Sequence, residues 1–318
     1  MLHVALIGAG TMGAHHARVI SQSDHSTLVT VIDPDEATGR ELADRHLARW
    51  LPEPQDWTGI DAVVVAAPTH LHRCLTEEAL SAGLPTLVEK PAAATLLDSQ
   101  RIVDTAARLG VPLLCGFVER FNPAVVTARS IAEAPVHVNS VRHGPYAPRI
   151  RTGVAWDLLI HDVDSCLRMV GSEPKRVWGS TGRYHPTSLP GAEDISEAII
   201  EFTGSAVATA SASRISHRKV RLMTITELDR VIEADLLRRT VTIYRHVDHG
   251  SGDDDSAAYR QQTIIEIPEL MAHREPLVAQ WDHFCDLVAG TVDMVAERQT
   301  ILPPHRVISD LCDQHPPP

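Results

Sequence analysis

The chain has 318 residues, 44% of them hydrophobic, a formal net charge of −12 and a pI near 5.8. That length exceeds one ordinary core and fits two domains. The acidic balance opposes binding to a phosphate backbone, and no apolar run reaches the ~18 residues a membrane span needs, so nucleic acid and membrane are excluded as partners.

The first apolar run, residues 2–7, has no basic region ahead of it and reads as a strand, not a signal peptide. Further runs at 28–32, 62–66, 86–88 and 111–115 read as buried parallel strands. The mixed segments between them, 12–21, 36–45, 71–82 and 96–109, read as helices. This alternation predicts a Rossmann domain over 1–118, a doubly wound parallel sheet. After Phe121 the texture changes. A loop rich in Gly, Pro and Arg over 142–153 leads into one helix over 156–169. Short β-type runs follow at 176–184, 196–202, 206–213, 220–227, 231–235, 241–245 and 262–267. Their close spacing predicts a mostly antiparallel sheet, making 119–318 a C-terminal α+β domain for substrate binding and oligomerisation. Residues 249–258 are acidic and small and read as an exposed loop. A helix over 276–288, a short last helix over 304–313 and a Pro-rich tail close the chain. Cys74, Cys115, Cys166, Cys285 and Cys312 are odd in number and form no CxxC pair, which fits free thiols in a reducing cytoplasm.

The first strand runs into Gly8-Ala9-Gly10-Thr11-Met12-Gly13 and then a helix. Gly8 permits the tight turn, Gly10 lets backbone approach a pyrophosphate, and Gly13 allows close helix–strand packing. Asp33 lies 20 residues beyond Gly13, where a carboxylate accepts hydrogen bonds from the adenosine ribose hydroxyls. A carboxylate there repels a 2′-phosphate, and Pro34, Asp35 and Glu36 supply no arginine directly after it. The expected cofactor is therefore NAD.

Glu89-Lys90-Pro91, together with the glycine turn and Ala67-Pro68-Thr69-His70-Leu71-His72, resembles the glucose–fructose oxidoreductase, inositol dehydrogenase and MocA (Gfo/Idh/MocA) family over essentially the whole chain. The resemblance implies that Lys90 points into the active site, that Glu89 lies by the nicotinamide ribose, and that the Lys90–Pro91 bond is cis. It places Ala67, Pro68, Thr69 and His72 at the cofactor, although Thr69 stands where relatives often carry asparagine. His16 matches a histidine common after the family's glycine loop. Relatives assemble as homodimers or homotetramers through an exposed sheet face, and the same is expected here.

Asp157 and His161, at i and i+4, share a helix face. The family carries an aspartate and a histidine at this spacing, which assigns Lys90, His161 and Asp157 as catalytic. Oxidation of a secondary alcohol removes the hydroxyl proton as hydride leaves carbon, and an imidazole titrates in the range to take it. Asp157 orients the imidazole or holds a substrate hydroxyl, and the Lys90 ammonium favours negative charge on the alcohol oxygen. No metal is expected: Asp164 is seven residues from Asp157, and the family's hydride transfer needs none. Asp162 reads as a surface or domain-contact residue.

Arg120, Asn122, Arg142, Arg149 and Arg151 are the remaining substrate-binding candidates. With Gly116–Pro123 and the 142–153 loop they resemble a family branch acting on nucleotide sugars of the UDP-N-acetylglucosamine kind. Arg142, Arg149 and Arg151 suit a diphosphate, because guanidinium groups pair with phosphate oxygens. The leading expectation is NAD-dependent oxidation of a sugar or nucleotide-sugar hydroxyl. The alternatives are a free-polyol or inositol dehydrogenase and a non-catalytic NAD-binding regulator.

Overall fold

A computed structural model describes residues 1–147, 152–249 and 260–314. The chain forms two compact units, Met1–Val118 with Glu275–Ser309, and Glu119–Arg274 with Asp310–Pro318.

The first unit is built on six parallel strands: β1 (Leu2–Ile7), β2 (Ser26–Ile32), β3 (Arg49–Leu51), β4 (Ala62–Val65), β5 (Thr86–Val88) and β6 (Leu113–Cys115). Their order is β3-β2-β1-β4-β5-β6, with the reversal between β1 and β4. In such sheets ligands bind beyond the strand C-termini at that reversal. Val4, Leu6, Val63, Val64, Val65 and Leu87 are all fully buried. A sheet covered on both faces demands this continuous apolar content. Helices α1 (Thr11–Gln22), α2 (Glu36–Arg45), α3 (His72–Ser81) and α4 (Leu96–Leu109) connect the strands. Asp35 caps α2 through Thr38 N, Thr95 caps α4 through Asp98 N, and Gly110 ends α4 at φ +65°. The sequence predicts no strand at β3, because Arg49-Trp50-Leu51 is not a continuous apolar run and none of its residues is fully buried.

The second unit carries an eight-stranded sheet: β7 (His137–His143), β8 (Pro174–Gly182), β9 (Ile195–Phe202), β10 (Val207–Ser213), β11 (Val220–Thr226), β12 (Val231–Asp235), β13 (Thr240–His249) and β14 (Arg260–Glu266). The order is β14-β13-β12-β11-β7-β10-β9-β8, and every pairing except β7 with β10 is antiparallel. Helix α5 (Pro123–Ile131) and helix α6 (Ile160–Val170) belong to this unit. Two elements were not expected, α5 and the central strand β7. In β7, Val138, Ser140 and Arg142 are the buried set. Two of those three inward residues are polar, so the period of two carried no hydrophobic signal.

Helices α7 (Pro276–Val288), α8 (Met294–Gln299) and α9 (Leu302–Asp313) follow. Trp281 and Phe284 of α7 enter the first unit's core beside Ile20, Leu28 and Val31. The Trp281 indole donates to Ser26 Oγ at 3.0 Å, and Ser26 Oγ donates to the Ile20 carbonyl. The change of texture predicts one boundary after residue 118, with everything beyond it in the second domain. Residues 275–309 instead belong to the first unit. An amphipathic helix reveals that it has a core-facing stripe, not which core receives it.

Candidate active site

The glycine turn shows the shape of a dinucleotide cradle. Gly8 has φ +103°, and a Cβ there would meet Ala66 O at 2.6 Å and Ala67 N at 2.8 Å. A Cβ at Gly13 would overlap the Gly8 carbonyl oxygen, whereas one at Gly10 would meet nothing within 4 Å. Gly10, Thr11 and Met12 are exposed, and Gly10 gives α1 no side-chain cap. The exposed helix N-terminus and the positive end of the helix dipole suit a pyrophosphate. Asp33 Oδ2 accepts from Ala9 N at 2.7 Å and Oδ1 from Asp35 N at 2.8 Å. This carboxylate therefore braces the turn as well as offering further lone pairs to ribose hydroxyls. Arg40 is paired with Glu36 at 2.8 Å and lies 4.5 Å over the Trp50 ring.

Ala67, Pro68 and Thr69 follow β4 into a short turn, and His72 opens α3 behind them. The buried His72 ring faces Ala67 O through Nε2 and Pro91 O through Nδ1, each at 2.8 Å. Burial pushes its pKa down against the pull of the two carbonyls. The neutral ring has one N–H and donates to one of them at a time. Glu89 Oε1 meets His16 Nε2 at 2.7 Å, and Glu89 Oε2 accepts from Lys90 N at 3.2 Å. Burial raises the Glu89 carboxyl, but the His16 hydrogen bond and charge, Lys90 and the Lys90 amide outweigh it and hold it below the usual carboxylate range. Gly116 leaves room for this carboxylate, since a Cβ there would stand 3.0 Å from Glu89 Cδ. Lys90 is half-buried, and the Lys90–Pro91 peptide is cis.

In the second unit, Asp157 lies in a π turn, Ala155–Leu159, that opens α6, and His161 sits in the first turn of α6 itself. Ile160 N bonds to Ala155 O, five residues back. Such π turns recur at functional sites because they re-aim side chains. Asp157 is half-buried and His161 buried. The helix start is fastened by Glu193, whose Oε1 accepts from Ala155 N at 2.7 Å and whose carbonyl accepts from Val154 N. Gly153 leaves space for the Glu193 carboxylate.

Asp194 anchors that same β8–β9 connection. It accepts from Tyr184 N, His185 N, Ser188 Oγ and Arg214 Nε, while Arg214 also donates to Thr152 O and Ala192 O. Burial raises the Asp194 carboxyl, but its hydrogen bonds outweigh that and hold it at about 2. A folded pKa below the unfolded 3.8 stabilises the protein above the unfolded value, and that contribution is lost as pH falls through the folded one. We expect Asp194 to contribute about 2 kcal/mol near neutral pH, lost between pH ~4 and ~2. Denaturant unfolding of wild type and Asp194→Asn at stepped pH checks this. Parallel stability–pH curves for the two would contradict it.

Beneath α6 lies a buried ionic network. Arg142 donates from Nε to Asp162 Oδ2 at 2.5 Å and from Nη1 to Glu119 Oε1 at 2.9 Å. Ser140 Oγ donates to Asp162 Oδ1 at 2.6 Å, and Arg221 Nη1 reaches Glu119 at 3.2 Å. Burial raises the Glu119 carboxyl, but Arg142, Arg221 and Asn122 together hold it below its ordinary range. Arg120 grips Asp164 with two bonds, 2.9 and 2.7 Å.

These positions correct three expectations. Arg142 is not a loop cation open to a diphosphate: it is 3% exposed within β7, and two carboxylates engage it. Asn122 caps α5 through Ala124 N and spends its amide on Glu119 and Leu236 O, so it serves structure and not substrate. Asp162 is 1% exposed and is no surface residue. Arg120 sits 8% exposed on Asp164. Arg149 and Arg151, most of the expected 249–258 loop and Pro316–Pro318 lie outside the described residues. Sequence reasoning missed Glu119, Glu193 and Asp194. Glu119 finds Arg142 and Arg221, and Glu193 finds Ala155 N, only through tertiary packing, while Asp194 gathers Tyr184, His185 and Ser188 through a loop turn that no residue pattern announces.

The sheet order, the open glycine cradle and the braced Asp33 together define an NAD-binding oxidoreductase fold. Residues 2–117 match the model of an oxidoreductase family with an NAD-binding Rossmann fold, and residues 127–227 match the Gfo/Idh/MocA C-terminal domain. The chain belongs to the Gfo/Idh/MocA family. It is 29% identical to UDP-N-acetylglucosamine 3-dehydrogenase of Acidithiobacillus ferrooxidans over 94% of this chain and 96% of that protein. It is 32% identical to inositol 2-dehydrogenase 2 of Paenarthrobacter aurescens, over 61% of this chain and 63% of that protein. A solved structure of the Acidithiobacillus ferrooxidans enzyme superposes with a TM-score of 0.82 at 26% identity, covering 98% of this chain and 97% of that one.

Proposed function

We propose that this protein oxidises one secondary hydroxyl of a nucleotide sugar to a ketone, with NAD taking the hydride. The observation that carries the reading is end-to-end similarity to a UDP-N-acetylglucosamine 3-dehydrogenase, in a chain that retains Lys90, Asp157 and His161. NAD, when bound, supplies the hydride acceptor. The exposed N-terminus of α1 holds the pyrophosphate, Asp33 the adenosine ribose, and Glu89 the nicotinamide ribose. His161 takes the hydroxyl proton, Asp157 orients it, and Lys90 steadies the oxygen as its charge develops. Arg149 and Arg151 remain the proposed diphosphate contacts. Self-association uses the outer face of the second sheet, where Trp178 and Ile199 are register partners and both exposed.

The burial of Arg142 favours a second reading, a free-polyol dehydrogenase. It removes one of three cations from the diphosphate argument, and a neutral polyol needs none. Measuring NADH absorbance with UDP-N-acetylglucosamine, N-acetylglucosamine and myo-inositol as substrates separates the two. Turnover of myo-inositol alone would overturn the nucleotide-sugar reading.

Cofactor choice gives a further test. We expect NAD to outperform NADP in kcat/KM, and Asp33→Ala to narrow the gap by weakening NAD and relieving repulsion of the 2′-phosphate. A wild-type preference for NADP would contradict the role given to Asp33.

A further inference from the structure

His305, in the first turn of α9, lies in the same unit as Lys90 but 215 residues from it in sequence. Its ring is fully buried, with Phe117 edge-on at 5.7 Å. Ala92 N, two residues after Lys90, donates to His305 Nε2 at 2.9 Å. A backbone N–H can only donate, so Nε2 presents its lone pair. The proton therefore sits on Nδ1, which donates to Ile301 O at 2.7 Å. The partners thus define the ring as a neutral Nδ1–H tautomer.

The segment around Lys90 has little secondary structure of its own to hold it. The chain leaves β5 at Val88, and α4 begins at Leu96. Three buried histidines from three helices grip it instead. His16 of α1 takes the Glu89 carboxylate, His72 of α3 faces the Pro91 carbonyl, and His305 of α9 takes the Ala92 amide. His72 also faces the Ala67 carbonyl, next to the turn that follows β4. His305 ties the segment to the C-terminal helix.

We propose that His305 is a positioning residue: as an obligate acceptor for Ala92 N–H, it fixes the backbone from which Lys90 projects. The importance of Lys90 to turnover rests on the function proposed above. The fixing of its backbone does not.

The test uses the full chain as wild type, His305→Leu and His305→Gln. Leucine fills volume without an acceptor, whereas glutamine keeps a carbonyl oxygen near the position of Nε2. Two readouts need no substrate. The first is hydrogen exchange of the peptide holding residues 89–95. The second is the rate at which acetic anhydride labels Lys90, followed by mass spectrometry. The chain has only two other lysines, Lys175 and Lys219, both exposed, and they serve as internal references.

In wild type the Ala92 amide should be strongly protected. In His305→Leu its exchange should quicken about tenfold, the scale of one lost buried hydrogen bond. Lys90 labelling should shift several-fold while Lys175 and Lys219 do not move. Glutamine should restore both readouts. With substrate and NAD, His305→Leu should lower kcat about tenfold with KM nearly unchanged.

An unprotected Ala92 amide in wild type overturns the proposal even if the leucine variant fails to fold. Unchanged exchange and labelling in His305→Leu, or changes that glutamine does not restore, also overturn it. Absence of turnover in wild type, with the two labelling readouts as expected, overturns the proposed function and leaves the positioning of Lys90 supported.

Discussion

Lys90→Ala and His161→Ala should each lower kcat by roughly 10²–10⁴-fold, the range that positioned proton transfer contributes, while NADH binding stays nearly intact. Lys90 is half-buried, and its backbone amide donates to Glu89, which also meets His16. Removing its side chain takes away a cation without touching the glycine cradle proposed for the pyrophosphate. His161 is buried on α6, directly after a π turn pinned by Glu193, so alanine there should leave the helix start in place. If the two groups act on one hydroxyl, the double variant should lose far less than the product of the single losses. Asp157→Asn should cost less than either, since an amide can still orient the imidazole. NADH fluorescence and NADH absorbance on the same preparations separate binding from turnover. Near-wild-type kcat in both single variants, with chemistry rate-limiting, would place the base elsewhere.

Arg142→Met should destabilise the fold by about 3–5 kcal/mol, the cost of breaking a buried ion pair from one side. The substitution leaves Asp162, 1% exposed, and Glu119, 5% exposed, without their shared guanidinium. Ser140 and Arg221 remain as partial partners, and neither replaces a fork that reaches both carboxylates. Arg142→Lys should fall between, because a single ammonium cannot reproduce that geometry. A phosphate-binding loop arginine would behave oppositely, raising KM with little change in stability. Urea unfolding of the three proteins distinguishes the roles. A loss under ~0.5 kcal/mol for methionine, the range of ordinary surface substitutions, would show that the network is not structural.

The cofactor half of the molecule was legible because its chemistry is local. Gly8, Gly10 and Gly13 act within one turn, Asp33 ends the next strand, and Glu89-Lys90-Pro91 are contiguous. Continuous apolar runs reported a doubly covered sheet for the same reason: the backbone pattern and the burial it requires occupy the same few residues. The Asp157–His161 spacing was likewise readable, though its π turn was not, since nothing in Ala155–Leu159 breaks a helical period.

What only the tertiary structure decided were partnerships across long sequence separations. Arg142 reads as a loop cation until β7 pairs with β10 and β11 and turns its side chain inward against Glu119 and Asp162. Asp162 reads as a surface or domain-contact residue until Arg142 meets it, and nothing local in the sequence announces that Asp164 pairs with Arg120. Helix α7 reads as part of the second domain until Trp281 finds Ser26. The amphipathic period says that a face is buried, and charge says that a partner is needed. Which face and which partner depend on pairing energies between segments far apart in the chain, and those exist only once the sheets have assembled.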